Sequence, residues 1–177
     1  AYDEGRHATW ADPMTGLSAE VWSEGLGWYA LILVEALEML PPNHSGREQV
    51  LAIWLELAEG LRQAQDPTTG LWYQVVDKGH LPDNWHDTSG SAMFTYAIQR
   101  GVDLGLLEAA AYGPVAAKGY AGVSTKAWPN SEGLIDVYDA CDGVCVQDSY
   151  DIYINYPQKV NAKEAVVGVL WAATIMD

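Results

Sequence analysis

The residues Asn84-Trp-His-Asp-Thr-Ser-Gly-Ser-Ala-Met-Phe-Thr-Tyr-Ala-Ile-Gln-Arg-Gly101 decide the fold. They begin as a polar, aromatic loop and turn into a helix. Thr88 or Ser89 can cap that helix by accepting a hydrogen bond from an early backbone N–H. Gly90, Ser91 and Ala92 make a first turn so small that a neighbour can approach closely. Met93, Phe94, Tyr96, Ala97 and Ile98 leave little polar surface, which suits a helix enclosed by others rather than one lying on water. Gly101 stands where a helix commonly ends. A crowded helix that starts under a Trp-His-Asp loop predicts a packed scaffold with a binding mouth at its N-terminal end.

Working outward, Gly25-Leu-Gly-Trp28 opens a long apolar helix to about Leu40, where Pro41-Pro42 stop it. Only Glu35 and Glu38 interrupt it, so it too reads as enclosed. Ser45-Gly-Arg-Glu48 has the spacing of a capping box and starts a second helix to about Gln65. Val50, Ile53, Trp54, Leu57 and Leu61 share one of its faces and Glu48, Glu56, Glu59 and Arg62 the others, the pattern of an amphipathic outer helix. Asp66-Pro-Thr-Thr-Gly-Leu71 then repeats Asp12-Pro-Met-Thr-Gly-Leu17, and the composition of each is that of a β-turn. Trp72-Tyr-Gln-Val-Val76 reads as a short strand. An Ala-rich stretch over 103–122 supplies another outer helix, with Gly113-Pro114 marking a break or kink. Residues 134–138 and 150–154 read as strands of a third excursion, and Pro157 stops the second of them. Asn161-Ala-Lys-Glu164 caps a final small-residue helix over 165–176.

One theme therefore occurs three times: a turn or hairpin excursion, a small-residue helix start, and a crowded helix. The first two rounds continue into a more polar outer helix. Helix pairs that cannot bury themselves alone form arrays or toroids. The expected fold is all-α, with residues 1–177 forming part of an (α/α)6 barrel with short β-hairpin excursions. Closure takes about six pairs, and at ~55–70 residues each the chain holds about half of them.

The formal charge of -15 excludes nucleic acid as a partner, because phosphate recognition needs a basic surface. Any anion site must be made locally. No run reaches the roughly eighteen apolar residues of a membrane span. Eight Trp and ten Tyr stand against one Phe, a balance of amphipathic rings suited to stacking on sugar faces or to packing in a core. Cys141 and Cys145 could form a local disulfide or remain free, and no ligand pattern predicts a metal or cofactor. The opening residues Ala1-Tyr-Asp-Glu-Gly-Arg6 do not resemble a signal peptide.

Trp22-Ser-Glu-Gly-Leu-Gly-Trp28, Asp66-Pro-Thr-Thr-Gly-Leu-Trp-Tyr-Gln-Val-Val-Asp77, Asn84–Phe94 and the stretch 161–173 together resemble glycoside hydrolase family 105. These are the unsaturated rhamnogalacturonyl hydrolases, with the unsaturated glucuronyl hydrolases as relatives. The resemblance covers nearly the whole chain, as the C-terminal half of such an enzyme. It implies an (α/α)6 barrel that removes a terminal Δ4,5-unsaturated uronic acid from oligosaccharides made by pectin-type lyases. It also implies acid-catalysed hydration of the double bond without a metal, and a cytoplasmic location. A carboxylic acid kept protonated by an apolar, aromatic site suits that step.

The resemblance implies that the principal catalytic Asp and an active-site His precede Ala1. Glu24 stands where the family often carries a substrate-binding Arg, so Lys159, Lys163, Arg6 or the rest of the ring is expected to supply positive charge. Trp22, Glu24, Trp28, Trp85 and His86 are the substrate-binding candidates, with Asp87 a helix cap. Alongside an oligosaccharide substrate, the uncovered inner helices predict a complementary polypeptide or self-association. A non-catalytic carbohydrate-binding or vestigial fragment is the alternative from another class. Another six-hairpin sugar enzyme, such as an epimerase, would ask more of His86.

Overall fold

The computed structural model describes residues 1–176. Its helices are α1 (Ser23–Met39), α2 (Arg47–Ala64), α3 (Thr88–Asp103), α4 (Ala109–Ser124), α5 (Tyr150–Ile154) and α6 (Lys163–Met176). A small antiparallel hairpin pairs β1 (Ala127–Pro129) with β2 (Ile135–Val137). Helix α3 is the hub: α1 lies against one side of it, α6 against another, and α4 packs on α3 and α6 while α2 packs on α1. The molecule is an arc of an α/α toroid, with α1, α3 and α6 as inner helices and α2 and α4 outside.

Composition explains the two rings. From Thr88 to Thr95 every residue of α3 is buried, whereas α2 buries only Trp54, Ala58 and Leu61. Small residues permit the contacts of the inner row. A Cβ added at Gly90 would lie 2.6 Å from the Ser23 Cβ, so α1 and α3 meet backbone to side chain. At the core, Trp72 donates its indole N–H to the Leu61 carbonyl at 2.7 Å and meets Phe94 edge-on, with ring centroids 5.5 Å apart. Burying a large apolar side chain of this kind contributes about 1.5–3 kcal/mol.

The repeated turns are the same structure twice. Asp12 accepts from the backbone of Met14 and Thr15, and Asp66 from that of Thr68 and Thr69. Each Asp carbonyl accepts from its Gly, at 2.7 and 2.9 Å, and Gly16 and Gly70 take φ of 76° and 79°, a region Gly enters at no steric cost. A third copy, absent from the sequence reading, spans 130–134 between β1 and β2. There Asn130 replaces Asp, its Oδ1 accepting from Glu132 and Leu134, and Gly133 takes φ 78°.

Several local expectations are corrected. The α3 cap is Asp87, not Thr88 or Ser89, because Thr88 Oγ1 donates to the Tyr138 carbonyl and Ser89 Oγ to Asp87 itself. Helix α3 runs past Gly101, whose bare Cα lies under Leu107 and Trp54. At α2 the N-cap residue is Gly46 and no side chain caps, so the Ser45–Glu48 capping box does not form. Residues 72–76 make isolated bridges, Trp22 with Val75 and Tyr73 with His86, rather than a strand. Helix α4 is continuous through Gly113-Pro114, with Pro114 exposed, so the chain does not break there. Residues 150–154 are helical: one side chain, Tyr153, is fully buried, and its hydroxyl accepts from the Gln147 N–H. Strand β2 falls within 134–138, and its partner β1 was not expected. Asn161, at φ 60°, gives its side chain to Val137 and Asp136 rather than to α6.

Candidate functional site

The N-terminal ends of the three inner helices converge, and each brings a carboxylate. Glu24 lies in the first turn of α1, Asp87 caps α3 and Glu164 lies in the first turn of α6. Acidic groups suit these positions because helix N-termini present unpaired N–H groups and partial positive charge. Asp87 is fully buried and joins the elements: Ser23 and Ser89 hydroxyls donate to its Oδ2 at 2.5 and 2.6 Å, the Gly90 N–H at 2.9 Å, and the Cys141 N–H to its Oδ1 at 3.2 Å. Ser23 also lies 3.2 Å from the Gln74 side-chain oxygen. A hydroxyl has one proton, and the shorter contact takes it.

Glu24 is 7% exposed, and its Oε2 accepts from the Cys141 thiol at 3.0 Å and the Val144 N–H at 3.2 Å. Burial pushes its carboxyl above the ordinary glutamate range. The two hydrogen bonds oppose this, and the charges of Glu164 and Asp87 add to it. The Cys141 thiol is pushed up by burial, then by Asp87 and Glu24, so it stays protonated and donates. Cys141 and Cys145 are both free. No lysine or arginine pairs with Glu24 among the described residues: Lys159 binds Asp142 at 3.1 Å and Lys163 binds Glu164 at 3.5 Å. The arrangement can hold a proton at Glu24 in a water-poor setting.

Trp22 and Trp85 both pack against the buried residues that adjoin Glu24 and Asp87. They share one cluster with Val75, Cys141, Val144 and Tyr153. Trp22 stacks on Tyr153 with centroids 5.6 Å apart and donates its indole N–H to Val144, while Trp85 donates to Ile154. The backbone N–H and C=O of Val144 thereby link Glu24 to Trp22.

Trp28 lies elsewhere. It is four residues beyond Glu24 on one face of α1, 37% exposed, and meets Trp171 of α6 edge-on with centroids 6.2 Å apart. Tyr96 of α3 lies 5.9 Å from Trp171 and donates to Glu35 at 2.8 Å; burial and Glu35 push its phenol up to about 12. A cavity of about 190 Å³ is lined by Leu31, Glu35, Tyr96 and Trp171. The sequence reading missed Tyr96 and Trp171. The signal was there: Trp171 is seven residues beyond Glu164, on the same helical face.

His86 is held by the second repeated turn. Its Nε2 lies 2.8 Å from Asp66 Oδ2, and its ring lies 4.2 Å from that of Tyr73, whose hydroxyl also donates to Asp66. Burial raises the Asp66 carboxyl, but the Thr68 and Thr69 amides and His86 outweigh it and hold it low. Among the described residues, no three His, Cys, Asp or Glu side chains group so as to hold a metal ion, and no helix is long and apolar enough to cross a membrane.

The sequence model of Glycosyl Hydrolase Family 88 matches residues 1–176. The 24.9 kDa protein in picA locus of Rhizobium radiobacter is 43% identical over 108 residues, 60% of this chain and 45% of that protein. The unsaturated 3S-rhamnoglycuronyl hydrolase of Formosa agariphila is 29% identical over 99 residues, 56% of this chain and 26% of that one. The solved structure of the C. acetobutylicum ATCC 824 glycoside hydrolase from family 105 superposes with a TM-score of 0.91 at 30% identity. That match covers 98% of this chain and 50% of the other. The chain thus spans half or less of the length of these relatives.

Proposed function

The chain belongs to Glycosyl Hydrolase Family 88, and from that premise we propose that the protein removes a terminal Δ4,5-unsaturated uronic acid from lyase-generated pectin-type oligosaccharides. The single observation that carries this reading is the match of that family over residues 1–176. The likeness to the Formosa agariphila hydrolase supports the substrate class. In the proposed reaction a carboxylic acid gives its proton to C4 of the enol ether and water adds at C5. The C5 hemiketal opens to a ketone as its bond to the ring oxygen breaks, which leaves C1 as a hemiacetal. That hemiacetal collapses to an aldehyde as the C1–O bond breaks, and the neighbouring sugar takes up a proton and leaves as an alcohol.

This chain contributes a wall of the site at the inner-helix N-termini. Trp22, Trp85 and His86 are proposed to contact the sugar at this wall, and Trp28, one turn further along α1 against Trp171, to contact it at a separate position. Glu24, whose carboxyl is pushed above the ordinary glutamate range by burial, is proposed to line this wall with its Oε2 engaged by the Cys141 thiol and the Val144 N–H. The principal acid–base Asp and the cation for the uronate are assigned to the other part of the ring, carried by a complementary polypeptide; a second copy of this chain could cover the inner helices but would not bring that Asp. Light scattering checks for such a copy; a monodisperse monomer of the 177-residue chain counts against association. The activity is tested by incubating the complete protein with an unsaturated uronyl disaccharide and following the ultraviolet absorbance of its double bond. Absorbance falls if the reading is right. Binding without any fall supports the carbohydrate-binding alternative.

A further inference from the structure

The β1–β2 hairpin carries an aromatic pair unlike the packed tryptophans of the site. Trp128 and Tyr138 stack with ring centroids 3.9 Å apart and planes inclined by 5°. Trp128 pairs opposite Asp136 across the ladder, and Tyr138 follows two residues later, so all three side chains project from one face. Tyr138 covers one side of the indole ring, and Trp128 remains 42% exposed. Beside the pair, Asp136 Oδ1 accepts from Asn130 at 3.2 Å and Asn161 at 2.8 Å. Its Oδ2 lies 3.5 Å from the Tyr138 hydroxyl and keeps acceptor capacity.

The hairpin is fastened to the mouth. Thr88 Oγ1 donates to the Tyr138 carbonyl at 2.7 Å and the Thr88 N–H to the Asp139 carbonyl at 2.9 Å, and Thr88 directly follows the Asp87 cap. A flat ring edged by a carboxylate and a phenol matches one face of a pyranose. The slightly positive axial C–H bonds meet the negative ring face, and hydroxyls at the edge donate to the carboxylate. Asp136 disfavours an anionic sugar. Lys126, a nearby cation, is already bound to Asp139 at 2.6 Å.

We propose that Trp128 and Tyr138 form a subsite for a neutral pyranose, a unit further along the oligosaccharide than the terminal uronate. The inference rests on the sugar substrate proposed above and adds to it the chemistry of a second unit. Calorimetric titration tests it on the full chain and on W128A and W128F, each first shown by thermal melting to be folded. The probes are an unsaturated uronyl disaccharide, a tetrasaccharide alternating uronate with a neutral deoxyhexose, and tetragalacturonate.

W128A is expected to weaken the alternating tetrasaccharide about tenfold and the disaccharide less than about twofold, with W128F keeping most of the affinity. Tetragalacturonate is expected to bind without dependence on Trp128. Equal losses at both lengths, no loss at either, or equal Trp128 dependence for tetragalacturonate would overturn the subsite. Length-dependent binding beside a silent absorbance assay refutes the hydrolase reading and leaves the subsite standing. Absorbance loss without length-dependent binding does the reverse, and no binding of any probe overturns both.

Discussion

Asp66 in the repeated turn and Glu24 at the mouth are both partly removed from water, yet they are pushed in opposite directions. Burial raises each carboxyl. At Asp66 the Thr68 and Thr69 amides and His86 outweigh burial. Glu24 receives only Cys141 and Val144, and the charges of Glu164 and Asp87 push it further up. The exposed Asp12 takes the Asp66 direction, through the Thr15 and Met14 amides. Donor count and neighbouring charge, rather than burial alone, set the sign. A tight turn aims amides at its first residue, whereas the convergence of three helix N-termini gathers acids.

The largest break in this comparison should come from Asp87→Ala, which strips the mouth of the acceptor shared by Ser23, Ser89, Gly90 and Cys141. Loss of the cap together with buried unpaired donors should cost about 3–5 kcal/mol in urea unfolding, with Asp87→Asn in between. Gly90→Ala should cost about 1–3 kcal/mol in the same experiment, by forcing a methyl into Ser23. The matching change in the turn, Gly70→Ala, fails for another reason: φ 79° is strained for alanine and its Cβ meets the Lys118 carbonyl.

A pH series sharpens the contrast. Glu24 has a folded pKa above its unfolded value, so its contribution is fully present below about pH 4.3 and is lost as pH rises through the folded value. Asp12 and Asp66 have depressed values, so theirs is present above about pH 3.9 and lost as pH falls through the folded values. Glu24→Gln should therefore flatten the decline of stability above the ordinary glutamate pKa, and Asp66→Asn should flatten the acid limb. An unchanged slope in Glu24→Gln, followed by thermal melting across the range, would contradict the raised value. The smallest effect is expected from His86→Asn: its partly exposed pair with Asp66 should be worth about 1 kcal/mol or less.

Much of the scaffold was legible. The Asp-Pro-x-Thr-Gly-Leu repeat fixes its own hydrogen bonds within six residues, so both copies could be read directly. The third copy escaped because Asn130 replaces Asp and the loop is one residue shorter. Of the site candidates, Trp22 and Trp85 lie together in one packed cluster, whereas Trp28 belongs with Tyr96 and Trp171. That division depends on which way each helix faces its neighbours, and spacing within one segment carries only half of it.

Taken alone, the sequence determined the helix-pair repeat, the apolar inner and amphipathic outer helices, and the turn chemistry, because each depends on residues a few positions apart. Tertiary structure decided that Asp87 rather than Thr88 or Ser89 caps α3, that 150–154 coils around a buried Tyr153, and that Glu24 binds a thiol and an amide instead of a cation. The settings of Asp87 and Glu24 depend on donors more than fifty residues away, the Cys141 N–H on Asp87 and the Cys141 thiol on Glu24. Only packing brings them within hydrogen-bonding range.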